Sequence, residues 1–455
     1  MRELERERAK GYGAEGERLP EEAYIGGDEK PSRKAFRKER SKEGKQRWRR
    51  RGIFVLLIAL LLAYLFFEHT SYGNGLVAQV TDLTRQGVEE QQVVTEDSGY
   101  TDEQAAGEED ETQEEGAEDA AEEQPAEEEE NVYAATMTSE VKESLAGLPE
   151  RVYVPNVVEN SITVIDPATF EVVDSYQVEQ LPYHVTPSWD MSQLLVNNEE
   201  SSTFTVIDPE TGRPSDTVFA PFPYNFYYTP DGETAIVVVE RLQTLEFRDT
   251  ETWELKGSVY IPWPGVDHLD FSKDGDYFLA SSEWSGAVSK VDVENMELVD
   301  YVEVGALPID IKLSPDGSVF YVADQGTMGV HVIEPEEMKE IDFIPTGEGA
   351  HGLQVSRDTK SLYVSNRLEG TVSVIDFKTR KVVDKWVTGG TPDMFQLSPD
   401  GRQLWVSGRY DGAVYVIDTK NGELLSTIYT GVQPHGIAYF PNPGRFSLGH
   451  NGVYR

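Results

Sequence analysis

The chain has 455 residues and a formal net charge of -42 at pH 7. It contains no cysteine, which excludes disulfides, cysteine-held metals and a lipid-modified cysteine anchor. Its charge is unevenly distributed, so the sequence is best read segment by segment.

Residues 1–51 form a polar, basic segment. Residues 33–51 alone hold eleven Lys or Arg and two Glu. Apolar periodicity is almost absent, which predicts a disordered segment. Residues 52–72 follow and contain the uncharged run IFVLLIALLLAYLFF at Ile53–Phe67. With its flanks this run is long enough to span a bilayer with little tilt.

Three interpretations compete for residues 52–72. A buried core helix would need amphipathic neighbours, and the sequence shows none. A cleaved signal peptide would follow a short basic lead, whereas this lead has 51 residues. A single-pass anchor fits best, and the positive-inside rule leaves the preceding basic segment in the cytoplasm. The predicted localisation is a single-pass cell membrane protein whose remaining residues are extracytoplasmic.

Residues 73–146 are predicted to be an acidic, disordered spacer. Between Gln86 and Glu130 there are twenty Asp or Glu and no Lys or Arg. Such a chain cannot bury enough apolar surface to order itself. A stretch that collects cations or binds a basic partner is the alternative, although nothing fixes a coordination geometry. Thr136–Gly147 is compatible with a short helix that leads into the next domain.

Residues 147–455 contain a repeated unit, seen most clearly at Ser361–Gly401. Four short apolar runs alternate with turn residues, which predicts an antiparallel meander. An acidic residue recurs at intervals of 41 to 43 residues, at Asp166, Asp208, Asp249, Asp292, Glu334, Asp376 and Asp418. Seven repeats of about 40 residues predict an all-β, seven-bladed β-propeller. An open β-solenoid is the alternative, although its coils are usually shorter, about 20 to 30 residues.

Several of the repeats share a specific sequence motif. The motif YVSN-x4-TVSVID, followed by VTGGTP and LSPDG, has relatives in RVYVPN-x4-SITVIDP at Arg151–Pro167 and LWVSGRYDGAVYVID at Leu404–Asp418. These motifs resemble the YVTN-repeat family of seven-bladed β-propellers. The resemblance implies a fold shared by surface-layer-type proteins, the haem-binding propeller of nitrite reductase, quinoprotein dehydrogenase propellers and lactonase-like propellers. Val239–Trp253 departs most, because it lacks the Asn and the Gly.

The two ends of the propeller are predicted to meet in one blade. Closure removes free sheet edges, and it places Gly436–Phe440 beside Arg151–Pro155. Arg445–Gly449 resembles the start of an eighth repeat. The sequence leaves open whether it competes for that edge or folds back.

Candidate ligand-binding residues lie where each inner strand begins, at the mouth of the central channel. The first position holds Tyr183, Tyr224, Asp267, Ile309, His351, Asp393 and His435. The second position holds His184, Asn225, His268, Asp310, Gly352, Met394 and Gly436. Four of the chain's seven histidines fall in these fourteen positions. His and Asp are common metal ligands and general acids or bases, and His351 and His435 are the metal candidates.

A purely structural role competes with this interpretation, since a His-Gly pair can simply bond a neighbouring blade. The histidines also occupy two registers, and successive side chains on a regular strand point to opposite faces. All four can therefore face one metal only where the loop geometry is irregular. The capping acids, Asp166 and its equivalents, are expected to hold tight turns rather than to act in catalysis.

A second set of loops on the same side contains Arg241, Arg367 and Arg409. Arginines are enriched in recognition surfaces, although solvated hairpin tips explain each one equally well. Residues 151–455 hold 46 Asp or Glu against 21 Lys or Arg, so a nucleic-acid partner is not expected. Nucleophile-elbow, phosphate-loop and H-E-x-x-H motifs are absent, and no catalytic residue is assigned.

The expected function is a membrane-anchored, extracytoplasmic binding or scaffold module that takes a protein, glycan or small ligand at the channel mouth. The alternative is a metal- or haem-dependent oxidoreductase, or a lactonase-like hydrolase, that uses the His/Asp face. A cofactor is not assigned.

Overall fold

Twenty-eight strands account for most of the described chain. A computed structural model describes residues 131–455, so the predictions for 1–51, 52–72 and the spacer up to residue 130 lie outside the described residues. Within residues 131–455, no helix is both long and apolar enough to cross a membrane. Three short 3-10 helices are present there, Ala134–Thr136, Glu143–Leu145 and Glu240–Leu242.

The strands form seven four-stranded antiparallel sheets, which confirms the predicted propeller. Blades 1 and 2 contain β1 (Arg151–Asn156), β2 (Ser161–Asp166), β3 (Glu171–Gln177), β4 (Pro182–Pro187), β5 (Leu194–Asn198), β6 (Thr203–Asp208) and β7 (Arg213–Phe219). Blades 3 and 4 contain β8 (Asn225–Tyr228), β9 (Thr234–Val239), β10 (Thr244–Asp249), β11 (Leu255–Tyr260), β12 (Val266–Phe271), β13 (Tyr277–Ser282), β14 (Ala287–Asp292) and β15 (Glu297–Glu303).

The remaining blades repeat this order. Blades 5 and 6 contain β16 (Pro308–Leu313), β17 (Phe320–Asp324), β18 (Gly329–Glu334), β19 (Lys339–Pro345), β20 (Ala350–Val355), β21 (Ser361–Asn366), β22 (Thr371–Asp376) and β23 (Lys381–Val387). Blade 7 contains β24 (Pro392–Leu397), β25 (Gln403–Gly408), β26 (Ala413–Asp418) and β27 (Leu424–Tyr429). The last strand, β28 (Ala438–Phe440), is the inner strand of blade 1 and pairs with β1, as the sequence predicts.

The hydrophobic core is divided into seven clusters, one between each pair of neighbouring blades. One such cluster joins Trp405 of blade 7 to Val152 of blade 1 across the closure. Another joins Phe247 of blade 3 to Phe271 of blade 4. Because each sheet buries both of its faces against neighbours, no blade has an independent core. The ring must therefore close for any blade to be stable.

The asparagine that recurs in the repeat motif has a structural role. Asn366, at the end of β21, is buried and donates from its side-chain amide to Thr371 and Ser373 in the next strand, both at 2.9 Å. Asn156 and Asn198 make the equivalent bonds in blades 1 and 2. The motif N-x4-S/T-x-S/T thus ties two strands together through side chains.

The acidic residues that mark the repeat cap turns, as predicted. The Asp166 carboxylate accepts from the Ala168 N–H at 2.8 Å, and Asp418 accepts from Lys420 at the same distance. These turns lie on the side of the propeller reached by the end of each inner strand, termed the base face. The loops before each inner strand, and those between the second and third strands of each blade, form the mouth face.

Residues 131–148 pack against the base face. Tyr133 is buried, and its hydroxyl donates to the carbonyl of Leu313 at 2.9 Å. Leu145 is also buried, against blades 1 and 2. Residues within 131–146, which the sequence analysis treats as spacer, therefore contact the propeller. The short helix considered over Thr136–Gly147 is reduced to a single 3-10 turn there, Glu143–Leu145.

Candidate functional site

The start of each inner strand is irregular. In blades 2, 4, 5, 6 and 7 the pairing register between the inner strand and its neighbour shifts across the two candidate positions. In blade 2, for example, the shift lies between Pro182 and Val185. Such bulges change the direction of a side chain and break strict alternation. They supply the irregular geometry under which both registers can face the channel.

Residues of both registers meet at the centre of the channel. The rings of His184, from the second position, and His435, from the first, lie 4.8 Å apart. Tyr183 and Tyr224 form a ring pair at 5.0 Å, and Tyr183 also contacts His435 at 5.5 Å. Burial raises the pKa of Tyr224 well above its ordinary value. Tyr224 therefore acts here as a neutral aromatic group.

Asp393 is the centre of a charged cluster close to the mouth. It is fully buried, and its carboxylate accepts from Nε of Arg367 at 2.9 Å and from Nδ1 of His435 at 2.6 Å. Nδ1 of His351 lies 3.1 Å from the same carboxylate, and Nε2 of His351 accepts from Arg367. Burial opposes ionisation of Asp393, but the charge of Arg367 and its other partners outweighs it and lowers the pKa. Nε2 of His351 is thus bonded within this cluster, whereas Nδ1 lies near the carboxylate without a hydrogen bond of its own.

A second cluster, the histidine triad, comprises His184, His268 and His450. One ring nitrogen from each lies within 4.8 Å of those of the other two. All three residues are at most 3% exposed. Burial lowers the pKa of His184 to about 3 and that of His450 well below its ordinary value. These two imidazoles are therefore neutral at pH 7, with lone pairs available.

His450 reaches the channel on a hairpin that the sequence analysis left unassigned. Residues 445–455, termed the C-terminal hairpin, fold back on themselves. The backbone N–H of Leu448 donates to the carbonyl of Val453 at 2.7 Å. The first arm of the hairpin pairs with β8 through Tyr227 and Gly449. The Arg455 guanidinium donates to both carboxylate oxygens of buried Asp270, at 2.7 and 2.9 Å. The hairpin therefore enters the channel from the base face, and its tip carries His450 and Asn451.

The other acidic candidates are also buried and bonded. The Asp267 carboxylate accepts from Ser281 and from the His268 N–H, both at 2.7 Å, and burial raises its pKa. Asp310 accepts from Lys312 and from the Leu353 N–H, both at 2.8 Å. Asp267 borders the histidine triad, whereas Asp310 lies deeper, beside a cavity under the hairpin.

The three arginine candidates belong to a regular ring. Positions 42 residues apart follow the second strand of each blade, and they hold Val157, Glu199, Arg241, Glu283, Gln325, Arg367 and Arg409. Arg241 is paired with Glu199 and Glu200, away from the Asp393 cluster. Arg367 also donates to Gln325 at 3.2 Å. Arg409 lies over the Tyr183 ring at 5.6 Å, and its Nη1 makes no hydrogen bond although it is buried.

The candidates therefore fall into two adjoining groups. His351, Asp393, His435 and Arg367 form the Asp393 cluster, while His184 and His268 join His450 below Tyr183 and Tyr224. Sequence reasoning missed His450, Asn451 and Gln325. The turn Gly449–Gly452 contains Asn-Gly between apolar residues, a hairpin signal that would have identified the C-terminal hairpin.

A comparison with models of known protein families identifies the family of this chain. A family model described as YNCE-like beta-propeller matches residues 150–443, about the whole ring. The chain belongs to the YNCE-like β-propeller family. This agrees with the YVTN-type resemblance of the repeats. No curated protein sequence matches the chain.

Solved structures similar to this YNCE-like propeller share its fold. Hydrazine synthase of Kuenenia stuttgartiensis has a TM-score of 0.52 at 20% identity, covering 61% of this chain and 98% of that chain. A functionally unknown protein from Desulfotomaculum acetoxidans has a TM-score of 0.57 at 18% identity, covering 64% and 99%. Dihydro-haem d1 dehydrogenase NirN, in complex with DHE, has a TM-score of 0.51 at 16% identity, covering 64% and 75%. Identities this low carry the fold alone.

Proposed function

We propose that this protein is a membrane-tethered, extracytoplasmic docking module that binds a carboxylate-bearing protein partner at its mouth face. The observation that carries the proposal is an exposed apolar ring around the channel mouth. Inside this mouth, the buried Arg409 has a side-chain nitrogen, Nη1, that makes no hydrogen bond. The ring occupies five of the seven positions directly after the 42-residue series, and the other two hold Glu200 and Gly326. Its residues are 43% to 62% exposed: Val158, Leu242, Trp284, Leu368 and Tyr410.

The apolar ring supports a protein partner. Regularly placed exposed apolar side chains on one face, rimmed by polar residues, are typical of interaction surfaces. Trp284 and Tyr410 are residue types enriched among those that dominate binding energy. A partner that covers the ring removes these side chains from water, which contributes roughly 25 cal/mol for each Å² of apolar surface buried.

The environment of Arg409 favours a partner that carries a carboxylate. Arg409 is 9% exposed, and an unpaired donor in such a position costs free energy of about 1–3 kcal/mol. The Asp393 carboxylate lies close enough to Arg409 for the two charges to interact, but its hydrogen bonds go to Arg367 and His435, and Nη1 of Arg409 stays unbonded. Guanidinium groups bind carboxylates with two parallel hydrogen bonds, which also fixes the partner's orientation.

Site-specific photo-crosslinking in the source cells tests this role on the full-length chain. A photoreactive residue at Leu368 should give an adduct of defined mass, and the same residue at Lys420 on the base face should give none. The adduct should weaken with Trp284→Ala and with Arg409→Gln, and Arg409→Lys should restore part of it. An adduct at Lys420 as strong as at Leu368, or one indifferent to Arg409, would overturn the proposal.

The membrane part of the proposal is supported by the uncharged run in residues 52–72 and its basic flank. Because the chain lacks cysteine, single-cysteine variants report topology directly. A membrane-impermeant maleimide should label Ser98→Cys in intact cells, and Ser41→Cys only after lysis. The reverse pattern, or release of the chain from membranes by alkaline carbonate, would contradict it.

A metal-dependent enzyme is the second candidate, because three buried imidazoles meet in the triad and two of them, His184 and His450, are neutral. NirN is named as a dihydro-haem d1 dehydrogenase, but the cavity under the hairpin is too small for a tetrapyrrole. The cavity under the hairpin has about 40 Å³, against ~300 Å³ or more for small-molecule pockets. Burial of the triad also separates it from substrate, so a binding role is preferred.

A further inference from the structure

We infer that His184, His268 and His450 bind one late first-row transition-metal ion of the Zn²⁺ class, and that this ion fastens the C-terminal hairpin inside the channel. The inference is independent of the partner proposed for the mouth face. The three residues come from blade 2, blade 4 and the hairpin, so one ion would join three separate parts of the fold.

The geometry suits a three-histidine site. Ring centroids are separated by 5.8 Å for His184–His268, 4.8 Å for His184–His450 and 4.7 Å for His268–His450. With metal–nitrogen bonds of about 2.1 Å, tetrahedral ligand nitrogens lie about 3.4 Å apart. The nitrogens here lie within 4.8 Å, so small rotations of the rings would complete the coordination.

Buried nitrogens without partners provide a second, independent observation. Nε2 of His184 and Nε2 of His268 make no hydrogen bond, and both side chains are fully buried. Polar atoms left unpaired in an interior are costly and rare in native proteins. One metal ion would bind the lone pairs of all three rings. This explains why the imidazoles are buried in the channel.

The surroundings of the rings match those of metal ligands. Nδ1 of His184 donates to the side-chain oxygen of Asn451 at 3.0 Å, which leaves the lone pair on Nε2. Nδ1 of His268 lies 3.4 Å from the Asp267 carboxylate, which favours the same tautomer. Ligating histidines usually pass their second N–H to a carbonyl or carboxylate in this way.

The His450 ring makes a specific demand on Asn225. The Asn225 amide nitrogen lies 2.9 Å from Nδ1 of His450, and the Asn451 amide nitrogen lies 3.5 Å from Nε2. Metal ligation through Nε2 places the proton on Nδ1, which then needs an acceptor. The Asn225 oxygen already accepts from the Phe226 N–H at 2.9 Å, so binding of the ion requires this amide to turn over and give up that bond.

The fourth coordination position is left to water, since three protein ligands plus a water is a common zinc arrangement. Imidazole donors suit zinc, copper, nickel and iron, and Co²⁺ serves as a spectroscopic substitute for zinc. An ion so placed fixes residue 450 to blades 2 and 4. Its main effect is to lock the hairpin and with it the closed ring.

The test uses the full-length chain, stripped with a chelator and titrated with Co²⁺ and Zn²⁺. We expect one equivalent to bind, the visible bands of tetrahedral cobalt, a rise in Tm with zinc, and slower hydrogen exchange across residues 445–455. His450→Ala and His184→Ala should weaken binding by more than about tenfold. His331→Gln is the matched control, because His331 is buried in blade 5 and pairs with Glu340 instead.

Two results would overturn the inference. One is a wild-type chain that binds no stoichiometric metal and gains no Tm. The other is His450→Ala binding metal as tightly as the wild type, with unchanged exchange at the hairpin. If His184→Ala fails to fold, His450→Gln gives the same information, because glutamine removes the imidazole ligand while it keeps a polar side chain of similar size.

Discussion

The side-chain oxygen of Asn451 accepts a hydrogen bond from Nδ1 of His184 at 3.0 Å, although 267 residues separate them. This bond joins the tip of the C-terminal hairpin to the inner strand of blade 2. Gln396 of blade 7 donates to the Asn451 carbonyl at 2.8 Å, so the tip contacts blades on two sides of the channel. The hairpin is thus an internal part of the ring.

Gly436→Ala should displace the hairpin tip. A Cβ at this position would lie 2.8 Å from the His184 Cα and would also meet the Asn451 side chain. Since the His184 backbone cannot yield, we expect a loss of about 1–3 kcal/mol in unfolding free energy and faster proteolysis of residues 445–455. Urea unfolding and limited proteolysis measure both effects. Gly257→Ala, whose Cβ meets only the flexible Met296 side chain, should change little; equal losses in both variants would refute this account.

Arg455→Met should destabilise the protein strongly. Asp270 is buried, and the variant leaves its carboxylate without a counter-ion, which costs about 3–5 kcal/mol. Removing both charges with Asp270→Asn and Arg455→Met should cost less than Arg455→Met alone. A double-mutant cycle from urea unfolding checks this, and additive losses would mean that the pair is not coupled.

Acidification should destabilise the fold from about pH 6.5 downward. Burial lowers the folded-state pKa of His184 to about 3, and those of His351, His435 and His450 well below the ordinary value of 6.5. Below pH 6.5 these imidazoles become protonated in the unfolded chain but stay neutral in the folded chain. Each such imidazole removes up to about 1.4 kcal/mol of stability per pH unit.

His331 acts in the opposite direction. Burial alone would lower its pKa, but Asp324 and Glu340 outweigh burial and raise it, so its contribution is present at low pH and lost as pH rises. Four histidines against one leave a net loss on acidification. Unfolding free energies between about pH 7 and pH 5, measured with chelator present, test the sign. A smaller slope is expected for His184→Gln, and stability that rises on acidification would be incompatible with neutral buried imidazoles.

Asn366→Ala should cost about 1–3 kcal/mol, because the buried hydroxyls of Thr371 and Ser373 lose their donor. The same change at exposed Asn295 should cost only a few tenths of a kcal/mol. Thermal unfolding of both variants measures the difference. Similar Tm values for the two variants would show that the repeated asparagine is not a structural tie.

The ring was predictable because its determinants are local and repeated. The alternating apolar runs and the turn acids each recur seven times, at intervals of 41 to 43 residues, so seven blades and the closure by Ala438–Phe440 follow from the sequence. The capping role of Asp166 and its equivalents is confirmed for the same reason, since a turn is decided within four residues.

The arrangement of the candidate site was less predictable, because it depends on departures from the repeat. The expected alternation along a regular strand is interrupted by bulges such as the one between Val266 and Leu269, and no sequence signal marks them. His450 lies outside the repeat, in the hairpin. His351 and His435 were the metal candidates, but the structure brings both to Asp393, and the three-nitrogen cluster forms around His450 instead.

Anomalous diffraction at the zinc absorption edge, on crystals of the full-length chain grown with equimolar zinc, tests the three-histidine site most directly. The account predicts one anomalous peak in the channel, about 2.1 Å from a ring nitrogen of each of His184, His268 and His450. A channel without such a peak, with the three rings bridged by ordered water instead, would contradict it.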